Sequence, residues 1–66
     1  MAVGVVVSFN DEAGYGFIEV DEGEKIFVHH SSIEMDGFRT LSPGAKVIFD
    51  LVSGKRGPEA KQVRKI

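Results

Sequence analysis

Turn-forming residues recur at intervals of about 8–12 positions along this chain, a spacing that marks all-β sandwiches and barrels. No stretch between them sustains helical periodicity for the roughly 10–12 residues an amphipathic helix needs. Val3 to Phe9 is β-branched and aromatic and is expected to form a strand. Asn10-Asp11-Glu12-Ala13-Gly14 is polar and ends in glycine, a turn. Tyr15 to Val20 is a second strand, and Asp21-Glu22-Gly23-Glu24 a hairpin turn whose glycine can take a positive φ. Lys25 to His29 is a third. Between Ser31 and Gly44 apolar residues are sparse, which predicts a long connection with one helical turn at Ser31-Ser32-Ile33. Lys46 to Val52 alternates Val47, Phe49 and Leu51 against Lys46, Ile48 and Asp50. After a turn over Ser53–Gly57, Pro58 to Lys65 is a charged last strand, its proline suited to an edge or a strand start. Together these elements predict an all-β fold, a five-stranded antiparallel closed barrel. Closure also removes the unpaired edges an open sheet of this size would carry. There is no internal repeat and no linker, so residues 1–66 are expected to form a single domain.

The 66 residues leave room for little core. A chain this short buries about 60% of its unfolded surface, and its core supplies about 3–5 kcal/mol without a staple. Cysteine is absent, which excludes disulfides and thiolate metal sites and suits a reducing compartment. Apolar runs stop at three residues, as in Val5-Val6-Val7, far short of the ~20 a membrane helix requires. With no basic segment leading into an apolar stretch, neither a signal peptide nor a membrane contact is expected, and the localisation expected is cytoplasmic. The net charge of −2 does not by itself suit a polyanionic partner, but its distribution is uneven. Residues 1–24 hold six acids and no Lys or Arg, whereas residues 25–66 hold eight bases against four acids. Either the surface is polarised or folding intermixes the halves.

Strand two carries the most informative residues. Period-two alternation places Tyr15, Phe17 and Glu19 on one face and Gly16, Ile18 and Val20 on the other. In strand three, Phe27 and His29 share a face, with Ile26, Val28 and His30 opposite. Pairing the two strands gathers Ile18, Val20, Ile26 and Val28 into one aliphatic face, and Tyr15, Phe17, Phe27 and His29 into the other. A barrel this small has one interior, and the aliphatic set is the better core. A single phenylalanine would more simply be core, because aromatics carry much of a small domain's buried area. Four ring residues sorted onto the non-aliphatic face favour an exposed platform instead. Exposed rings on adjacent strands are what base stacking requires, at about 1–3 kcal/mol per stacked base. Gly14 and Gly16 are expected to leave such bases room to lie flat. Gly14-Tyr15-Gly16-Phe17 also matches the centre of the RNP1 pattern K/R-G-F/Y-G/A-F-V-x-F/Y, with Ala13 in place of the leading base and Val20 in place of the final aromatic.

With Phe9-Asn10, Gly14-Tyr15-Gly16-Phe17-Ile18, Ile26-Phe27-Val28-His29, Ser32-Ile33, Gly37-Phe38-Arg39-Thr40-Leu41, Gly44 and Arg56-Gly57-Pro58, the chain resembles the bacterial cold shock proteins from about residue 3 to residue 64. The resemblance implies an OB-fold-type barrel that binds single-stranded RNA or DNA and acts as an RNA chaperone without enzymatic activity. It implies base stacking by Phe9, Tyr15, Phe17, Phe27, His29 and Phe38, and backbone or base contact by Arg56. Lys25 and Lys55 would lie near phosphates. His30 occupies a position where the family usually has Phe or Tyr, and so joins the candidate interface. Departures cluster on the same face. Val5-Val6-Val7-Ser8 stands where the family usually reads Lys-Val-Lys-Trp, Ala13 replaces a further lysine, and Lys25 replaces the usual Asp. Fewer cations neutralise fewer phosphates, and Ser8 offers no ring. Val5 and Val7, if outward, would form an apolar patch favouring partner contact or self-association of an otherwise monomeric protein.

Other chemistry is poorly supported. His29-His30 are adjacent in a strand, where neighbours point to opposite faces, and no third metal ligand is evident. Ser31 and Ser32 lack a spaced acid for a triad. Gly54-Lys55-Arg56-Gly57 lacks phosphate-loop spacing and reads as a basic hairpin turn. No cofactor, metal, small-molecule substrate or enzyme activity is expected. The alternatives to weakened nucleic-acid binding are a same-fold relative such as an S1-type domain, an OB-type module turned to protein contact, and an engineered variant in which folding was kept and binding was not.

Overall fold

The computed structural model describes residues 1–35, Gly37 and 40–66, with Glu22 described in its backbone only. Five strands, β1 (Ala2–Asn10), β2 (Tyr15–Glu19), β3 (Lys25–His29), β4 (Lys46–Gly54) and β5 (Gly57–Lys65), close into a barrel in the order β1-β2-β3-β5-β4. Short 3-10 turns cover Asp21–Gly23 and His30–Ser32, the latter within a residue of the helical turn expected at Ser31–Ile33. The β1–β2, β2–β3, β1–β4 and β4–β5 pairs are antiparallel. The closing seam departs from the all-antiparallel expectation: β3 and β5 pair in parallel through Phe27–Glu59 and Val28–Ala60. The physical reason is the long connection after β3, which lets the chain cross the barrel and return in the same direction. Parallel neighbours need such a crossover.

Val6, Ile18, Ile26, Val28, Ile33, Leu41, Val47, Phe49, Ala60 and Val63 fill the interior, and Phe49 is the largest of the fully buried side chains. Alternation on β2 and β3 delivers Ile18, Ile26 and Val28 to this core as expected, and Val20 packs against it half-buried. Two irregularities break the alternation elsewhere. On β1 the register steps from Val6–Ile18 to Ser8–Phe17, leaving Val7 as an extra residue. On β5 the step from Asp50–Lys61 to Ile48–Arg64 leaves an extra residue beside Gln62, which takes φ +51°. Such bulges bend a strand and sharpen its twist, which a five-stranded barrel needs in order to close. Leu51 follows the inward phase of β4 but is 53% exposed, and its neighbour Val52 is exposed as well.

Glycine is required where the chain reverses tightly. Gly14 takes φ +80° and donates its N–H to the Asn10 carbonyl at 2.8 Å, while the Asn10 side chain accepts from the Ala13 N–H at 2.9 Å. The β2–β3 connection ends likewise on Gly23 at φ +79°. The closed barrel brings the two segments together: β1 pairs with β4, β2 pairs with β3, and Glu19 of the acidic segment stands directly opposite Lys25 of the basic one.

Candidate nucleic-acid interface

The β2–β3 hairpin pairs Tyr15 with His29, Phe17 with Phe27 and Glu19 with Lys25, and directly opposed residues project to the same face. That face is the outside of the barrel, because the alternate pairs, Gly16–Val28 and Ile18–Ile26, are buried. Tyr15 and Phe17 are 38% and 36% exposed, high for aromatic side chains with a core available to them. Phe27 lies between them. Its ring centroid is 5.6 Å from that of Tyr15 at a 31° tilt, and 6.0 Å from that of Phe17 in an edge-on arrangement at 74°. These spacings belong to favourable aromatic packing, so the rings hold one another in place while staying open to solvent.

His29 extends the platform at the end of β3. Its Nδ1 accepts from the Ser31 N–H at 3.2 Å and lies 2.9 Å from the Ser31 hydroxyl. With Nδ1 accepting from that N–H, the neutral imidazole carries its proton on Nε2. Ser31 therefore orients a ring of the platform, a role that sequence reading did not assign. Its signal is a serine two residues beyond a strand-ending histidine.

His30 departs from expectation. Alternation put it on the core side, yet it is exposed and its ring centroid lies 4.4 Å from that of His29. The strand ends at His29 and His30 opens a 3-10 turn, so period two no longer applies. Its position beside His29 adds a fifth ring to the face. Among the described residues, no three His, Cys, Asp or Glu side chains converge as a metal site would require.

The glycines act differently from the expectation that they clear space for bases. A Cβ on Gly16 would meet the Phe9 Cα at 2.7 Å and its ring at 2.8 Å, and one on Gly14 would meet His30 Cδ2 at 2.6 Å. Gly16 is an inward residue of β2, and the space it leaves is taken by the neighbouring strand. Phe9, opposite Gly16, is half-buried and packs against the edge of the core. Phe38 lies outside the described residues.

The basic candidates frame the platform. Lys25 is exposed across from Glu19 at its β2–β3 end, and Lys55 is exposed in the β4–β5 turn. Arg56, in the same turn, holds its guanidinium carbon 5.1 Å from the centre of the Phe27 ring, within cation–π range. Glu59 stands beside Phe27 through the parallel seam and pairs with Lys61 at 3.7 Å. That neighbourhood joins residues 32 positions apart through a parallel pairing that no local pattern signals. On β1, the bulge turns Ser8 outward to stand opposite Phe17, while Val5 and Val7 are each 39% exposed.

Comparison with known proteins agrees with this arrangement. Residues 2–66 match the family model described as the 'Cold-shock' DNA-binding domain. The chain is 52% identical to the cold shock-like protein CspLB of Listeria monocytogenes and 50% identical to the cold shock protein CspB of Bacillus caldolyticus, over 66 residues and all of both chains in each case. It is 54% identical to the cold shock-like protein CspD of Bacillus cereus, over 98% of each chain. A solved structure of drosophila Unr CSD456 superposes with a TM-score of 0.77 at 18% identity, covering 98% of this chain and 26% of that one, and so speaks to the fold alone. The OB-type barrel, the outward rings of β2 and β3, and a sequence about half shared with bacterial relatives from end to end agree: this chain belongs to the cold shock domain family.

Proposed function

We propose that this protein binds single-stranded RNA or DNA by stacking bases on Tyr15, Phe17, Phe27, His29 and His30, with Phe9 and Phe38 extending the surface and Lys25, Lys55 and Arg56 meeting phosphates. The observation that carries this reading is the grouping of Tyr15, Phe17 and Phe27, centroids within 6.0 Å of Phe27, on the solvent side of adjacent strands. Every base has a π-face, so such a platform is tolerant of sequence, and one barrel covers about 4–16 nucleotides. Binding the open strand in preference to the paired one shifts RNA toward its melted form by mass action, a chaperone effect without ATP or a catalytic step. A monomer in the cytoplasm suits this role. No helix among the described residues is long and apolar enough to cross a membrane.

The test is an NMR titration with short oligo-dT or oligo-U at low and then moderate salt. Shifts concentrated on Tyr15, Phe17, Phe27 and His29 are expected. A silent spectrum at millimolar strand and low salt would end the nucleic-acid reading.

A second reading, protein contact, draws support from β1. Val3, Val5 and Val7 are exposed there, with the half-buried Ile48 opposite Val3. Sedimentation across a concentration series separates the two: self-association that disappears in Val5→Lys favours contact through this face, and a monomer at every concentration counts against it.

A further inference from the structure

We propose that Arg56 is a movable cover on Phe27, displaced by an incoming strand only where a phosphate is present to receive the guanidinium. The proposal rests on the stacking platform described above and assigns Arg56 a part beyond charge neutralisation, coupling a base-stacking position to the charge of the backbone.

The geometry sets up a direct competition. A base sandwiched between the Phe27 ring and the guanidinium would need a contact separation of about 3.5–4.0 Å on each side. The Arg56 carbon is only 5.1 Å from the ring centre, so base and guanidinium cannot share that face. The ring has little other freedom, because Tyr15 and Phe17 flank it at 5.6 and 6.0 Å. Arg56 is not tied down elsewhere: among the described residues it forms no ion pair, and the nearby Glu59 carboxylate is taken by Lys61. It sits in the exposed Lys55–Arg56 turn of the β4–β5 hairpin, so a change of side-chain rotamer is enough to uncover Phe27. A phosphate repays the lost cation–π contact with a charge-assisted hydrogen bond, whereas an uncharged backbone offers only a weaker one with no charge attraction.

The experiment compares native protein with Arg56→Ala, binding short oligo-dT and the same sequence as an uncharged methylphosphonate. Tyr15 is the only tyrosine in a chain without tryptophan, so its fluorescence reports both titrations. Arg56→Ala is expected to bind natural oligo-dT more weakly than native protein and the methylphosphonate about two- to fivefold more tightly, the factor an exposed cation–π contact represents. Equal weakening toward both strands, or no gain with the methylphosphonate, would overturn the cover. In the free protein, the Arg56 δ-methylene protons should be shifted upfield by the Phe27 ring current and return to ordinary positions in Phe27→Leu. Absence of that upfield shift would overturn the cover without any strand present. Failure of native protein to bind either strand would instead bring down the stacking platform itself, a result distinct from the others.

Discussion

Ser8 occupies a position of consequence for its size. The β1 bulge turns it outward opposite Phe17, so whatever side chain stands there borders the aromatic cluster. A hydroxyl provides no stacking surface, and a ring would. Ser8→Trp is therefore expected to tighten binding of oligo-dT by about 1–3 kcal/mol, the worth of one base–aromatic stack, with little effect on thermal stability because the position is exposed. Isothermal titration of the variant against native protein measures this, and an unchanged affinity would mean that bases do not pass over this part of β1. The same residue-scale logic explains His29. The ring is legible as a candidate from alternation, but its fixed orientation comes from Ser31, whose turn brings an N–H and a hydroxyl to Nδ1.

The strands succeed or fail as platforms through their contacts with one another. β1 can lie against β2 because Gly16 presents no Cβ where the Phe9 backbone passes. An alanine there would press on a Cα at 2.7 Å, an atom that cannot rotate away as a flexible side chain can. Gly16→Ala should destabilise the fold by about 1–3 kcal/mol, the usual cost of overpacking a tight interior. At about 4–8 °C per kcal/mol for a domain of this size, that is a lowering of the melting temperature readily seen by circular dichroism. An unchanged melting temperature would mean that β1 and β2 are less closely apposed than described. The β4–β5 hairpin shows the opposite case, an element that leaves apolar side chains exposed toward its turn. Its exposed Leu51 and Val52 contribute little burial, and its turn places Lys55 and Arg56 at the platform's edge.

For the molecule as a whole, a small core and a few exposed cations set the terms. Phe49 is fully buried at the centre of the cluster, and truncating such a phenylalanine costs about 3–5 kcal/mol. A core of this size supplies about as much in total. Phe49→Ala is thus expected to be largely unfolded at 25 °C, and a cooperative native-like melt in that variant would contradict this account of the core. The exposed cations carry a separate expectation. If Lys25, Lys55 and Arg56 each neutralise one phosphate, the logarithm of the binding constant should fall with the logarithm of salt at a slope of about −2, from roughly 0.7 per phosphate on single strands. Titrations from low to moderate salt would read it directly, and a markedly steeper slope would require cations beyond these three.

What the sequence determined by itself is local and periodic. Turn residues at regular spacing marked the five strands, and alternation on Tyr15–Glu19 and Lys25–His29 sorted aliphatic from aromatic side chains, because neighbouring residues of a strand face opposite ways. The resemblance in Gly14-Tyr15-Gly16-Phe17-Ile18 and Ile26-Phe27-Val28-His29 identified the family that the comparisons then showed. What only the tertiary structure decided lies where periodicity stops or distant segments meet. His30 turned outward because the strand ended before it, and Leu51 stayed exposed although it follows the inward phase of β4. Gly16 proved to make room for Phe9 rather than for a base. The parallel β3–β5 seam, with Glu59 beside Phe27, and the Arg56 guanidinium over the same ring both depend on barrel closure, which brings together residues about thirty positions apart.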